Sequence, residues 1–244
     1  MSNLCMAGGG RFVDRVAIAE IITPEGTDSW KPVSHMDVID SVTKVVKAHD
    51  WVIMEEQFGL AREGQKLFGI IKINKTSSTD WMRCIGLRNS HDKSFAVGLS
   101  AGISVMVCSN LAFGGTTVIK RRHTSRIELA ELVDIAMEEL EDQFLTLENV
   151  CEDLKMIYLK NDNEARSVIV KAAEYGAINS SDILPIYQEY KNPAHAEFAE
   201  PTRWSLMNAM TETIKKYTPQ RVDRSYAVLN KCFGLDGTKP VLWS

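Results

Sequence analysis

The chain has 244 residues, 45% hydrophobic and 25% charged, a composition that supports one sizeable core and excludes disordered and fibrous classes. No apolar run reaches the ~18 residues of a membrane span. The net charge of −4 conceals a segregation: residues 62–126 hold eleven Lys/Arg against three Asp/Glu, whereas residues 127–200 hold five against seventeen.

Residues 1–33 are rich in Gly, Pro and turn formers and read as an irregular N-terminal arm with one short strand around Arg15–Ile22. Ser34, with Asp37 three residues later, forms an acidic variant of a capping box. It opens a helix whose stripe is Val38, Ile39, Val42, Val45 and Val46 and which ends near His49–Asp50. Five strand-like segments follow: Trp51–Phe58, Lys66–Ile73, Trp81–Arg88, Ser94–Leu99 and Ile103–Cys108, the last two flanking a Gly-containing bend. Within Trp81–Arg88, Ile85 and Leu87 are expected on the core face, with Arg83 and Arg88 open to solvent. The connectors Ala61–Gln65, Asn74–Asp80 and Asn89–Lys93 are short and polar, as antiparallel hairpins require.

From Ser125 the period changes. Ile127 to about Leu159 predicts one long helix or two, with a stripe broad enough to need two partners, either the C-terminal helices or another copy of the chain. Further helices are predicted at Glu164–Tyr175, Asp182–Tyr190, Pro201–Lys216 and Pro219–Phe233, with Pro201 at a first helical position and Gly234 just past an end. The expected fold is α+β: a helix, then an antiparallel β-meander crossed by a long helix, then a C-terminal helical lobe. The corresponding divisions are 1–33 for the arm, 34–160 for the α+β core domain and 161–244 for the helical lobe packed on it.

Two motif matches fail on context. Gly98-Leu99-Ser100-Ala101-Gly102 fits the nucleophile elbow G-x-S-x-G, but a strand follows where a helix is needed, so a hairpin bend is the better reading. Gly59 to Gly64 nearly forms a phosphate-binding loop, yet Gln65 occupies the lysine position and again a strand follows. No Cys/His cluster has metal spacing; His91 beside Asp92, with His123 distant, reads as a hydrogen-bonded turn, and neither a metal nor a cofactor is expected. The cysteines Cys5, Cys84, Cys108, Cys151 and Cys232 are odd in number and unpaired in spacing, the usage of reduced thiols in the cytoplasm. The opening MSNLCMAGGGRFVDR has no apolar stretch of the secretory kind. Cys108 reads as a small core residue rather than a nucleophile. Asn89 and Asp92 are turn formers that shape a hairpin, and Asn110 ends its strand in the same way. Trp204 and Asn208 lie one helical turn apart, so they share a side that is either core or a stacking platform with a polar partner.

Four segments carry a resemblance. Asn89-Ser90-His91-Asp92, Val107-Cys108-Ser109-Asn110, Arg122-His123-Thr124, and Trp204 followed by Asn208-Ala209-Met210-Thr211-Glu212 stand in the order and spacing of the signatures of the family called domain of unknown function 932. The chain resembles that family over roughly residues 35–235. It departs at Lys93, where a small residue, commonly Gly, is usual, and at Met210, which replaces a smaller apolar residue. The resemblance implies a protein of phages, prophages and plasmids, acting in a bacterial host cell in element maintenance or in conflict with the host.

The basic segment carries the functional expectation. Lys120, Arg121 and Arg122 with Arg126 place four cations at the sheet-to-helix junction, and Lys72, Lys75, Arg83, Arg88 and Lys93 are supplied by strands and connectors. Cations beside a flexible strand hold it through phosphate contacts and counterion release. The element order is similar to that of single-strand annealing proteins of recombination, which implies single-stranded DNA as partner and a homo-oligomeric ring or arc. Two alternatives stand beside it. One is a factor that binds a host or phage protein through the acidic helical lobe. The other is an enzyme using the Asn89/His91/Asp92 tip with Asn110 and His123.

Overall fold

Ser34 starts the first long helix as its sequence predicts, its Oγ accepting from the amides of Met36 and Asp37. In the computed structural model, which describes residues 10–74, 81–105, 111–113, 119–121, 129–217 and 219–243, this helix is the second of seven. The elements run β1 (Arg11–Val13), α1 (Arg15–Ala19), α2 (His35–Ala48), β2 (Val52–Ala61), β3 (Lys66–Asn74), β4 (Trp81–Ser90), β5 (Val97–Val105), β6 (Leu111–Phe113) and β7 (Ile119–Arg121). Then come α3 (Leu129–Met156), α4 (Asp162–Glu174), α5 (Ile183–Lys191), α6 (Arg203–Ile214) and α7 (Pro219–Phe233). The fold is α+β. Its seven-stranded sheet is antiparallel in the order β1-β2-β3-β4-β5-β6, and β7 shares the β6 edge by pairing with the other end of β5.

The strand predicted around Arg15–Ile22 is instead α1. Asp14 caps it by accepting from the Ala17 amide, and only Ile18 of its apolar residues turns inward. A second correction concerns Ser94–Leu99 and Ile103–Cys108. They contribute to a single strand, β5, paired without a break from Trp81↔Val105 to Arg88↔Gly98. Gly98, Ser100 and Gly102 therefore lie in mid-strand, not in a bend: uninterrupted pairing holds small residues in the pleat. A third concerns Pro201, which precedes the cap rather than entering the helix. Thr202 is the N-cap of α6, its Oγ1 accepting from the Ser205 amide, while the Pro201 carbonyl accepts from Leu159. Gly234 does end α7 at φ +76, where a Cβ would stand 2.7 Å from the Thr238 carbonyl oxygen.

Helices α2 and α3 cover one face of the sheet. Along β4 the residues Trp81, Arg83, Ile85, Leu87 and Asn89 turn toward the helices: Trp81 meets Lys155 of α3 and Trp204 of α6, Arg83 meets Glu148 of α3, and Asn89 meets His35 of α2. The broad stripe of α3 finds its two partners within the chain, the sheet on one side and α2 and α6 on the others. One continuous hydrophobic core runs from Val38 and Ile39 through Phe144 and Leu147 to Met207 and Phe233. Among the described residues no helix is long and apolar enough to cross a membrane.

Candidate nucleic-acid interface

The strand period of two separates the expected cations. Arg83 stands on the helix side, 5% exposed, its Nε and Nη2 donating to Glu148 at 2.8 and 2.7 Å and its guanidinium over the Phe144 ring. The expectation that it faces solvent is thus corrected: it shares parity with Ile85 and Leu87. Lys72 is also buried, with Nζ donating to Glu55 at 2.7 Å. Arg88, five residues from Arg83, points to the opposite face, where it is half-buried beside the Phe95 ring.

On that opposite face, register partners form a row across six strands: Phe12, Gly59, Phe68, Arg88, Gly98 and the position of Lys120. Directly opposed residues of antiparallel strands share a face. The row lies at the end of the sheet where the β2–β3 and β4–β5 turns come together. The position of Arg121, in register with Val97, is at the same end of the sheet but on the other, helix-covered face. Lys75, Cys108, Asn110, Arg122, His123, Thr124 and Arg126 lie outside the described residues.

The β2–β3 turn runs through Arg62, Glu63 and Gly64 at φ 49, 55 and 87. This left-handed stretch matches the twist of a hairpin. Gly64 is favoured by its φ of +87, and a Cβ there would also push aside the Ile21 side chain, whose Cδ1 would lie 2.5 Å away. In the β4–β5 turn the Ser90 hydroxyl donates to the Phe95 carbonyl and accepts from the Phe95 amide, which folds Phe95 back over the sheet. Its ring then meets Phe68 at 5.5 Å, with Lys66 Nζ and the Arg88 guanidinium 5.5 and 5.4 Å from its centroid. Asp92 accepts from the Ser94 amide and pairs with Lys66 at 3.4 Å. Burial alone pushes the Asp92 carboxyl up, but the Ser94 hydrogen bonds and Lys66 outweigh it and hold it below its ordinary range. Lys93 is exposed, at φ +63, with Nζ over the Trp30 ring. The left-handed backbone explains why a Gly suits this position.

Asn89 and His91 join the turn to the arm. Asn89 Nδ2 donates to the Val33 carbonyl and to His35 Nδ1, and His91 Nε2 donates to the same carbonyl at 3.0 Å. The His35 and His91 rings stack in parallel, centroids 3.9 Å apart, while His35 Nε2 donates to the Gly64 carbonyl. These contacts assign the His35 imidazole as neutral with the proton on Nε2, and place a proton on Nε2 of His91. Burial lowers the His91 pKa, and the bond to Val33 only partly opposes this. Asn89, Ser90, His91 and Asp92 thus each hold a turn or the arm in place.

Trp204 and Asn208 face the core, 4% and 2% exposed, with Asn208 Nδ2 donating to the Trp204 carbonyl. Glu212, half-buried, accepts from Lys215. They therefore do not belong to the turn-end cluster. Sequence reasoning missed Phe12, Lys66, Phe68 and Phe95. The signal for Phe68 was present, since it alternates with Lys66 and Ile70 on one side of β3. Phe95 had none, because a hydroxyl five residues earlier places it.

An α+β protein with a turn-end cluster of aromatic rings and cations is what these elements define. The profile of the family described as Domain of unknown function (DUF932) matches residues 26–232, and the chain belongs to that family. No curated protein and no solved structure matches it.

Proposed function

We propose that the chain is a nucleic-acid-binding accessory protein of a phage or plasmid, holding single-stranded DNA during recombination in the cytoplasm of a bacterial host. One observation carries the reading: Lys66 and Arg88 gather at Phe95, which packs on Phe68, at one end of the sheet, Lys93 of the same turn stands over Trp30, and register adds the position of Lys120. Phosphates are held there by cations and counterion release, without a sequence code. Copies of the chain assembled side by side join their short clusters into one track, so that affinity rises by multivalency; a closed or helical homo-oligomer follows from this reading.

The test is a gel-shift series with single-stranded DNA at two salt concentrations. Replacing Lys120, Arg121 and Arg122 by Ala is expected to flatten the salt slope by up to ~2 units. Absence of binding by the unaltered protein at low salt overturns the reading. Light scattering with and without DNA tests the assembly, which a strict monomer of 27.3 kDa refutes. A second reading, a factor that binds a host or phage protein, is favoured by Ile135, Leu145, Val170 and Leu184, which are exposed on the acidic helical segment. Capture of a stable partner by that surface, with no DNA binding, would select it.

A further inference from the structure

We infer that the turn end of the sheet is a base-stacking platform, on which Phe12, Phe68 and Phe95 receive the flat faces of unpaired bases while Lys66, Arg88 and Lys93 hold the flanking phosphates. This rests on the nucleic-acid reading and deepens it, because it names what selects a single strand over a duplex.

The row geometry supplies the argument. Phe12 and Phe68 stand on either side of Gly59 in one register row, so no side chain separates them. Two strand spacings of about 4.8 Å put their backbones ~10 Å apart, which matches two successive ring-to-ring stacking distances of ~4.5–5 Å. Phe12 is 39% exposed, a large value for an aromatic ring on a strand, and Phe68 and Phe95 are half-buried. On the other face of the sheet the comparable glycine, Gly69, lies under Phe58 and Leu87, each about 2.8 Å from where its Cβ would be. That face is filled by core; on the outer face Arg88 and Gly98 continue the row instead. Among the described residues nothing accepts a hydrogen bond from Arg88 Nε.

The charge pattern fits a strand rather than an apolar partner. Lys66 and Arg88 lie over the Phe95 ring at 5.5 and 5.4 Å from its centroid, and Lys93 of the same turn lies over Trp30, so cations and rings are interleaved at this end of the sheet. A flexible strand matches that interleaving, with phosphates outside and bases turned inward. In a duplex the base faces are already stacked on one another, so the rings have nothing to receive.

The probe is a short oligonucleotide carrying 2-aminopurine, free or annealed to its complement, titrated with the whole chain and with Phe12→Ala and Phe95→Leu. Phe12→Ala alters an exposed side chain and leaves the fold untouched. Phe95→Leu keeps apolar volume and removes the ring, and its melting curve reports whether it folds. Each variant is expected to lose about 5- to 100-fold in single-strand affinity, the range of one lost base stack, with the salt slope and the weaker duplex affinity unchanged. Fluorescence of 2-aminopurine is quenched on binding to the unaltered chain and less so with the variants. If the unaltered chain binds but both folded variants bind as it does, or lose single-strand and duplex affinity alike, the platform is overturned and the phosphate-binding reading survives. If the unaltered chain binds no nucleic acid at low salt, both fall.

Discussion

Replacing Glu148 by Ala tests whether Arg83 belongs to the core or to a ligand surface. The Arg83 side chain is 6% exposed, and its bidentate partner among the described residues is Glu148, whose side chain is 17% exposed. Removing one member of a buried pair leaves the other charge desolvated and unpaired, at a cost of ~3–5 kcal/mol. Two features of the site favour the lower end. Glu141, 38% exposed, already lies 4.0 Å from Nη1 and moves toward it readily, and the Phe144 ring remains under the guanidinium. We therefore expect a loss of ~3 kcal/mol, a large share of a total stability of ~5–15 kcal/mol. Arg83→Met costs less, because Glu148 is closer to water. The double variant Arg83→Met with Glu148→Ala recovers part of the loss, giving a coupling of ~2 kcal/mol in a double-mutant cycle. Urea unfolding followed by tryptophan fluorescence reads each value as a shift in midpoint at constant slope. A Glu148→Ala protein within ~0.5 kcal/mol of the parent, or strictly additive single changes, would refute the burial argument. The double variant is also expected to bind DNA as tightly as the parent, since Arg83 faces away from the turn-end cluster.

The His35–His91 stack makes docking of the arm pH-dependent. Burial holds the His91 pKa below its ordinary 6.5, so its contribution is complete above pH 6.5 and is lost as pH falls through the lower folded value. Proteolysis near Val33 should accelerate below that pH in the parent and far less in His91→Gln, with His35, Lys66 and Asp92 as the nearest titratable neighbours; equal rates at pH 7.5 and 5 would contradict this. Lys93→Gly should move stability and binding in opposite directions: relief of the φ of +63 raises stability by ~1 kcal/mol, while loss of one phosphate contact lowers affinity and reduces the salt slope by ~0.7. A Lys93→Gly protein that binds DNA as before removes Lys93 from the interface. Burial pushes the Cys84 thiol up to about 12 and the Cys232 thiol to about 11, and raises Cys151 further. None of the three should be alkylated in the native protein at pH 8, and mass spectrometry that finds Cys84 labelled within minutes would show the sheet to be open there.

The local features that short-range chemistry dictates were legible. The Ser34 cap, the Val38–Val46 stripe, the Pro219 start and Gly234 stop of α7, and the alternating runs of β3 and β4 follow from hydrogen bonds and periods within a dozen residues. Reading failed where one residue pattern serves two structures. Gly98 and Gly102 suit a bend as well as a strand, and only unbroken pairing to β4 decides for the strand. Val16 and Ile18 alternate as in a strand, but the Asp14 cap turns them into α1.

The candidate site divides in the same way. The sequence by itself determined the excess of positive charge in residues 62–126, the turn chemistry of Asn89 to Asp92, and the α+β order of elements, because composition, turn propensity and periodicity are properties of neighbouring residues. Only the tertiary structure decided which cations remain for a ligand. Arg83 and Lys72 are drawn into ion pairs with Glu148 and Glu55, 65 and 17 residues away in sequence. Arg88, Phe68 and Phe12 meet in one row only because three strand registers align them. His35 reaches Asn89 across 54 residues. Contacts of this kind depend on how strands pair and helices pack, and that pairing is set by burying the whole core at once, which no local stretch of the chain encodes.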